Sequence, residues 1–467
     1  MSVAVSLPLV VGWAGALLLA SLDGRKRWVG WLGVTLALAL FSTLVVLAVE
    51  VGGGAIPATV SGDWPLEVGI RLRADALSTL FALVSSGLLA VVLAFEVSHG
   101  PESRFFPALV LFLGTGLTGL FLTADAFNFY VFFELAMISS FALAGYGGGR
   151  PESRAAAVFV VINLLGSVFF LGAVAALYRV TGTLDMAAIG REAQSAAPGA
   201  VLLVGALLLV AFGLKLGLFP FHYWLPVVYR DTRPAVAAVF AGALANLGVY
   251  GLLRFGVEVL PGVLPAARPM LYVLGLASIV YGGVYAVHRR ALRDVLAYSA
   301  IGQVGYTVVA LALGGPVGAA AAVVYGLMNS LHKTALFLGA GTRGTGTAAA
   351  VLVAGLSVAG LPPSGGFVGK VAIFRAGAEG GSAVVLALLV AGGALSLVYM
   401  LQAWQCRFWV VGSQEHEGAG EAAGSGSPMA SRLLVALLVG AVVALGVWPG
   451  PMIEWCDRAA AALEPPR

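Results

Sequence analysis

Residues 199–222 read GAVLLVGALLLVAFGLKLGLFPFH. The run offers about 20 apolar residues before its proline, the length a helix needs to cross a bilayer. It lacks the strict alternation of a membrane β-strand. One lysine, Lys215, sits near its end. Pro220 must interrupt the helix there, because proline lacks a backbone donor and crowds the preceding turn. Thirteen comparable segments accompany it. The set runs roughly 3–21, 29–50, 74–96, 105–123, 126–147, 155–179, 199–219 (continuing to 229), 233–257, 268–287, 295–314, 317–341, 345–376, 383–410 and 431–453. About fourteen transmembrane helices are therefore expected.

The whole chain agrees with that stretch. Of its 467 residues 60% are apolar and 10% charged, and its mean hydropathy is +0.98. A soluble domain carries about 25% charged residues. A soluble enzyme, a disordered chain and a nucleic-acid binder are excluded, and the net charge of +4 comes from scattered arginines rather than a basic patch. The expected fold is an all-α polytopic membrane protein, one membrane domain over 1–467. Within it we distinguish N-terminal helices (1–104), two central runs (105–257 and 268–410), a Gly/Ser/Glu-rich loop (412–431) and a C-terminal helix and tail (431–467). Gly52 to Asp75 forms the other sizeable loop. Arg25, Lys26 and Arg27 follow the first apolar run, so that run reads as a retained span rather than a cleaved signal.

Arginine and lysine placement sets the expected orientation. Fourteen lie in odd-numbered connections and seven in even-numbered ones. Positive charge stays inside, so the odd side faces the cytoplasm and both termini lie outside. Cys406 and Cys456 then fall on opposite sides and cannot pair. There is no Cys/His cluster, hence no expected metal or cofactor.

A second break, GLPPSGG at 360–366, falls within the segment 345–376. Freed backbone groups in lipid must be buried in protein or line a wet cavity. Broken helices at matching places in two halves point to an ion site, and a kink that only serves packing is the plain alternative. Each break lies beside a lysine. Of the 26 basic residues four are lysine: Lys26, Lys215, Lys333 and Lys370. The last three fall within spans. Arginine keeps its charge at any working pH, whereas a buried lysine can release its proton. Among the carboxylates we place only Glu134 near mid-span, at a cost of roughly 2.5–3.5 kcal/mol. Lys215 is its natural partner, either in a coupled titrating pair or in a fixed ion pair that locks two helices. His222 and His332 are candidates for a relay or for plain helix contacts. Asp125, beside Thr123, is expected to cap a helix N-terminus.

At these residues the chain resembles the antiporter-like membrane subunits shared by respiratory complex I, membrane-bound hydrogenases and Mrp multisubunit cation/proton antiporters. The resemblance runs from about span three to span thirteen. Thr123 through Glu134 resembles the family's fifth helix with its essential glutamate. LKLGLFPFHYWLP at 214–226 resembles the seventh helix with its lysine. Leu296-Ala297-Tyr298-Ser299 matches the element opening the tenth helix, HKTALFLGAG at 332–341 the central lysine of the later half, and GLPPSGGFVGK at 360–370 the broken twelfth helix with its lysine. Within this superfamily the chain is most similar to the D-type subunits of the Mrp antiporters, in its length, in VVYRDTRPAVAAVFAG at 227–242 and in the segment around Glu134. It departs at Asn246, where the family usually has lysine, and at Ala291, where it often has aspartate.

The resemblance implies two inverted five-helix repeats, spans four to eight and nine to thirteen, each with one broken helix. It implies that Glu134 and Lys215 form the first half-channel, that Lys333 carries the proton centrally and that Lys370 exchanges it with the second half-channel. His222, His332 and Asn246 are candidate relay or water-holding residues. The implied function is proton translocation in a multisubunit Na+/H+ antiporter of a prokaryotic cell membrane. This would be a secondary transporter rather than an enzyme, acting on protons and monovalent cations beside other subunits in lipid. Three rivals stand: a proton-pumping subunit of a redox complex, a membrane scaffold with a dead ion path (suggested by Asn246), and a carrier for an organic solute.

Overall fold

The computed structural model describes residues 3–64, 69–380, 382–410 and 427–463. Residues 411–426, most of the loop expected at 412–431, lie outside the described residues. The chain is helical throughout its apolar segments. In order these are α1 (Val3–Ser21), α2 (Arg27–Gly52), α3 (Ala76–His99), α4 (Phe106–Leu122), α5 (Ala126–Ala144), α6 (Arg150–Thr181), the short α7 (Met186–Glu192), α8 (Pro198–Leu216) and α9 (Trp224–Asp231). There follow α10 (Pro234–Val259), α11 (Val263–Val287), α12 (Leu292–Leu313), α13 (Gly315–Ala340), α14 (Thr345–Ala359), α15 (Gly365–Glu379), α16 (Ala383–Trp404), α17 (Met429–Val447) and α18 (Gly450–Ala461). The loop expected over Gly52 to Asp75 contains a small antiparallel hairpin, β1 (Ala58–Val60) with β2 (Arg71–Arg73). The short helices α7 and α18 have no counterpart among the expected segments.

Eleven helices among the described residues are long and apolar enough to cross a bilayer. Large apolar side chains such as Val10, Val46, Val161, Leu203, Val273 and Leu437 stand exposed on them, as lipid-facing positions must. The buried centre is α10, α12 and α13. Leu292–Leu313 is buried almost all round, which explains why its pattern is apolar without a polar stripe. α11 lies along α12, α13 packs on α10, α15 and α18, and α16 closes against α11 and α14.

Tertiary contacts sort the connections onto two faces. On one face β2 reaches the α4–α5 turn through the Leu72–Thr123 bridge, and that turn bridges the α6–α7 turn at Asp125 and Asp185. Arg71 pairs with Asp185, and Arg73 with Glu258 at the end of α10. On the other face Arg233, before α10, pairs with Glu102 and Glu152, before α4 and at the start of α6. The Arg343 amide there donates to Ser427. The first face gathers even-numbered connections and the second odd-numbered ones, so consecutive spans run in opposite directions.

One charge in the expected orientation count sits elsewhere. Arg254, which the count assigns to a connection, is inside α10, 2% exposed, and pairs with Asp75 and Glu258. Burial of a guanidinium is tolerable only with such partners. Asp75 also caps α3, accepting from the Ser78 amide at 2.9 Å. Its neighbours Arg254 and Arg73 hold the carboxyl well below the usual carboxylate range, against the effect of burial. Asp125 caps α5 as its sequence predicts, accepting from the Asn128 amide at 2.6 Å. Cys406 and Cys456 are both free.

Candidate functional site

Both proline-marked segments are true interruptions. α8 ends at Leu216, Gly217 takes a left-handed conformation, and the chain resumes as α9 at Trp224. α14 ends at Ala359, Gly360 is left-handed at φ 84°, and α15 starts at Gly365. In each five-helix run (α4, α5, α6, α8–α9, α10 and α11, α12, α13, α14–α15, α16) the interrupted element is the fourth.

The freed backbone groups find partners inside the protein. Trp224 Nε1 donates to the Leu214 carbonyl at 2.9 Å, and the Phe219 amide donates to Ser278 Oγ at 2.9 Å. At the second break Lys370 Nζ donates to the Ala359 carbonyl at 2.9 Å, and the Gly366 amide donates to Ser357 Oγ at 3.2 Å. Lys370 therefore satisfies the exposed end of α14, where a cation is favoured by the helix dipole. A Cβ on Gly366 would lie 1.9 Å from the Ser357 carbonyl oxygen, so only glycine fits where α15 crosses α14.

The two lysines beside the breaks are held alike. Lys215 Nζ lies 4.2 Å from the centre of the Phe133 ring and donates to the Asn163 carbonyl at 3.4 Å. Lys370 Nζ lies 4.8 Å from the centre of the Tyr306 ring. Lys333, fully buried on α13, donates to Ser299 Oγ at 2.7 Å and to the Leu296 carbonyl at 3.2 Å. Among the described residues every ion pair uses an arginine. The three lysines within helices rest on carbonyls, a hydroxyl and ring faces. Glu134 makes no ion pair with Lys215; its Oε1 is buried without a hydrogen-bond partner. The side chain of its neighbour Phe133 touches the lysine instead.

A cavity of about 20 Å³ joins two of these lysines. Lys215 and Lys333 both line it, with Asn163, Asn329 and Tyr229 as further polar groups and Ala300 and Ala245 among the apolar ones. That is room for a water. α10 passes it in a π turn over Phe240–Leu244, a widening often found at functional sites.

The remaining candidates take different places. His332 is 1% exposed and joins Asn329 (3.2 Å) to Ser357 (3.4 Å), so it spans from the cavity wall to the second break. His222 lies among Phe219, Tyr223 and Tyr281, with both ring nitrogens buried and unpartnered. Asn246 is clamped: its Nδ2 donates to Ser85 Oγ at 3.0 Å, and Ser330 Oγ donates to its Oδ1 at 2.5 Å. Its side chain ties α3 to α13 and does not line the cavity. Asn163, Asn329 and Ser357 do not stand out in the sequence. A polar residue within an apolar segment is their only signal. Among the described residues no group of His, Cys, Asp and Glu could hold a metal ion.

Comparisons with known proteins converge on one family. The family described as NADH:quinone oxidoreductase/Mrp antiporter, TM, matches residues 123–346. The D-type Na(+)/H(+) antiporter subunit of Alkalihalophilus pseudofirmus is 32% identical, with 80% of each chain covered. The protein of the same name from Bacillus subtilis is 32% identical over 84% of each. Among solved structures, a chain of the Mrp complex from Dietzia superposes with a TM-score of 0.89 at 26% identity, over 99% of this chain and 98% of that one. A chain of respiratory complex I from Thermus thermophilus gives 0.82 at 27% identity, over 98% of each.

Proposed function

The chain belongs to the family of D-type Na+/H+ antiporter subunits, and from that premise we propose that it is the proton-translocating subunit of a multisubunit monovalent cation/proton antiporter in a prokaryotic cell membrane. The observation that carries this reading is the division of labour among its cations. Among the described residues every ion pair is made by an arginine, while Lys215, Lys333 and Lys370 sit within helices and join no ion pair, which leaves them free to exchange protons. Fourteen spans follow if α4, α13 and the α14–α15 pair are counted with the eleven evident ones. Odd connections then face the cytoplasm, and the two five-helix runs form inverted repeats.

In this reading Glu134 acts by approach. An opposing charge strengthens an ammonium's hold on its proton by ~4 kcal/mol at about 4 Å and half that at twice the distance, for an effective dielectric near 20. Closing the Glu134–Lys215 gap loads Lys215. Opening it releases the proton to water in the cavity shared with Lys333. The proton then passes to the second half, where Lys370 sits at the second break. His332 lies between the cavity wall and that break and is the side branch of the path. His222 is reached by water at the first break.

The likeness to complex I supports a second reading, a proton-pumping subunit of a redox complex. Inverted vesicles bearing the whole complex, from cells without other antiporters, separate the two. Proton movement driven by sodium, potassium or lithium without redox substrate, abolished by Glu134→Ala at equal assembly, is the expected result. Pumping seen only with a redox substrate moves the protein to the second reading. Equal activity in wild type and Glu134→Ala removes Glu134 from the path.

A further inference from the structure

The proposed path names no carrier for the step from Lys333 to Lys370, since His332 is only a side branch. A more continuous set of groups runs along α16, a helix outside that path. Lys333 Nζ donates to Ser299 Oγ at 2.7 Å. Ser299 Oγ meets the Tyr399 hydroxyl at 2.9 Å. The Tyr399 hydroxyl donates to Ser396 Oγ at 3.1 Å, and Ser396 Oγ donates to the Gly392 carbonyl at 2.8 Å. Each donor faces the next acceptor in one direction, from Lys333 toward the far end. Ser299, Tyr399 and Ser396 are all nearly sealed from solvent.

The far end opens on Lys370. Gly392 and Gly393 cut a notch in α16 one turn from Ser396. A Cβ on Gly393 would sit 3.4 Å from Lys370 Nζ, and one on Gly392 would sit 2.7 Å from the Tyr306 hydroxyl. The step from Ser396 across this turn of α16 to Lys370 is assigned to water. The Tyr399 oxygen is also fixed from the side. Gln303 Nε2 donates to it at 3.1 Å, and the Tyr325 hydroxyl donates to the Gln303 carbonyl oxygen. A tyrosine held by three hydrogen bonds in a sealed site is oriented, as a proton conductor must be.

We propose that α16 carries protons between Lys333 and Lys370 through Ser299, Tyr399 and Ser396, with the Tyr399 hydroxyl as the indispensable link. The proposal rests on the proton-translocating reading above. Its balance is simple. Lys333 gives one proton to Ser299, each hydroxyl accepts a proton from behind and passes its own forward, and Ser396 passes one through water to neutral Lys370. Lys333 loses one proton, Lys370 gains one, and every hydroxyl ends neutral with its O–H turned. Rotation of the three hydroxyls resets the chain.

The test uses the whole complex in inverted vesicles, with assembly quantified and cation-driven proton movement followed across pH in light and heavy water. Tyr399→Phe keeps the ring and removes the link. Its expected effect is a slowing on the order of a hundredfold at every pH, the scale of a lost proton-transfer group. Ser299→Ala should slow transport likewise and Ser299→Thr should restore it, because threonine returns the hydroxyl. This pair decides the matter if Tyr399→Phe does not assemble. Wild-type rate, pH profile and isotope effect in Tyr399→Phe overturn the proposal, as does Ser299→Thr as slow as Ser299→Ala. Lys370→Ala in the same vesicles keeps the two levels apart. If it is inactive while Tyr399→Phe is normal, the α16 route alone fails. If it too is normal, the translocation reading itself fails.

Discussion

Where the proton crosses from the first half to the second is the point on which sequence and geometry make opposed forecasts. The resemblance places a lysine where this chain has Asn246, which from sequence alone suggests a broken path. The path proposed above passes around it, through the cavity lined by Lys215, Lys333 and Ala300. Two leucine substitutions separate these. Ala300→Leu adds three carbon atoms to a cavity of about 20 Å³ and fills the room it has for a water. Overpacking costs about 1–3 kcal/mol of stability. Removing a hydrogen bond to a charged group costs ~1.5–3 kcal/mol, which on the barrier is roughly ten- to a hundredfold in rate. Asn246→Leu loses the bonds to Ser85 and from Ser330, about 1 kcal/mol each, while Ser330 keeps the Gly326 carbonyl at 3.0 Å. It should lower thermal stability in detergent yet leave transport within about threefold, since ~0.6 kcal/mol on the barrier is that factor. Cation-driven proton movement at matched assembly reads both. Abolished transport in Asn246→Leu with normal transport in Ala300→Leu would refute the reasoning.

Three further outcomes follow from named contacts. Asp75→Asn leaves Arg254 buried with Glu258 as its one carboxylate partner among the described residues, and breaking such a pair costs about 3–5 kcal/mol. Because the Asp75 carboxyl is held below its ordinary range, its contribution is present above the unfolded value near ~4 and is lost as pH falls through the folded one. The variant's deficit in a thermal-unfolding series should therefore be full at neutral pH and shrink only in strong acid. Gly366→Ala forces a Cβ to 1.9 Å from the Ser357 carbonyl and should abolish assembly, measured by co-purification of the complex; normal assembly would mean the crossing of α14 and α15 is not this close. His222→Phe preserves the aromatic packing and removes only the two unpartnered nitrogens. Assembly should persist while transport falls about tenfold or more, and unchanged transport would make the ring a packing element.

Much of the fold is written in composition and run length. Apolar segments of about 20 residues leave a bilayer-crossing helix as the one way to satisfy their backbone, and the observed helices follow the expected segments closely. Pro220 and Pro362–Pro363 mark the two breaks because proline cannot donate, whereas Pro8 and Pro269 lie inside continuous helices, so proline alone does not settle where a helix stops. Asp125 is legible as a cap because the cue is local. The hairpin at Ala58–Val60 and Arg71–Arg73 is not, since its short strands lie in a polar loop without an alternating apolar face. Arg254 reads as a connection charge in the sequence because its partners Asp75 and Glu258 include one 179 residues away along the chain.

For the candidate site, sequence alone singled out the candidates for moving protons: a mid-span carboxylate and three lysines in a chain whose other cations are almost all arginine. That is chemistry, fixed by residue type and by the cost of charge in lipid. The tertiary structure decided which of them face one another. It set Phe133 rather than Glu134 against Lys215, turned Asn246 away into a clamp between Ser85 and Ser330, and joined Lys215 to Lys333 through one small cavity. Side-chain direction depends on helix rotation and on packing between segments far apart in the chain, and neither is encoded in the local run of residues.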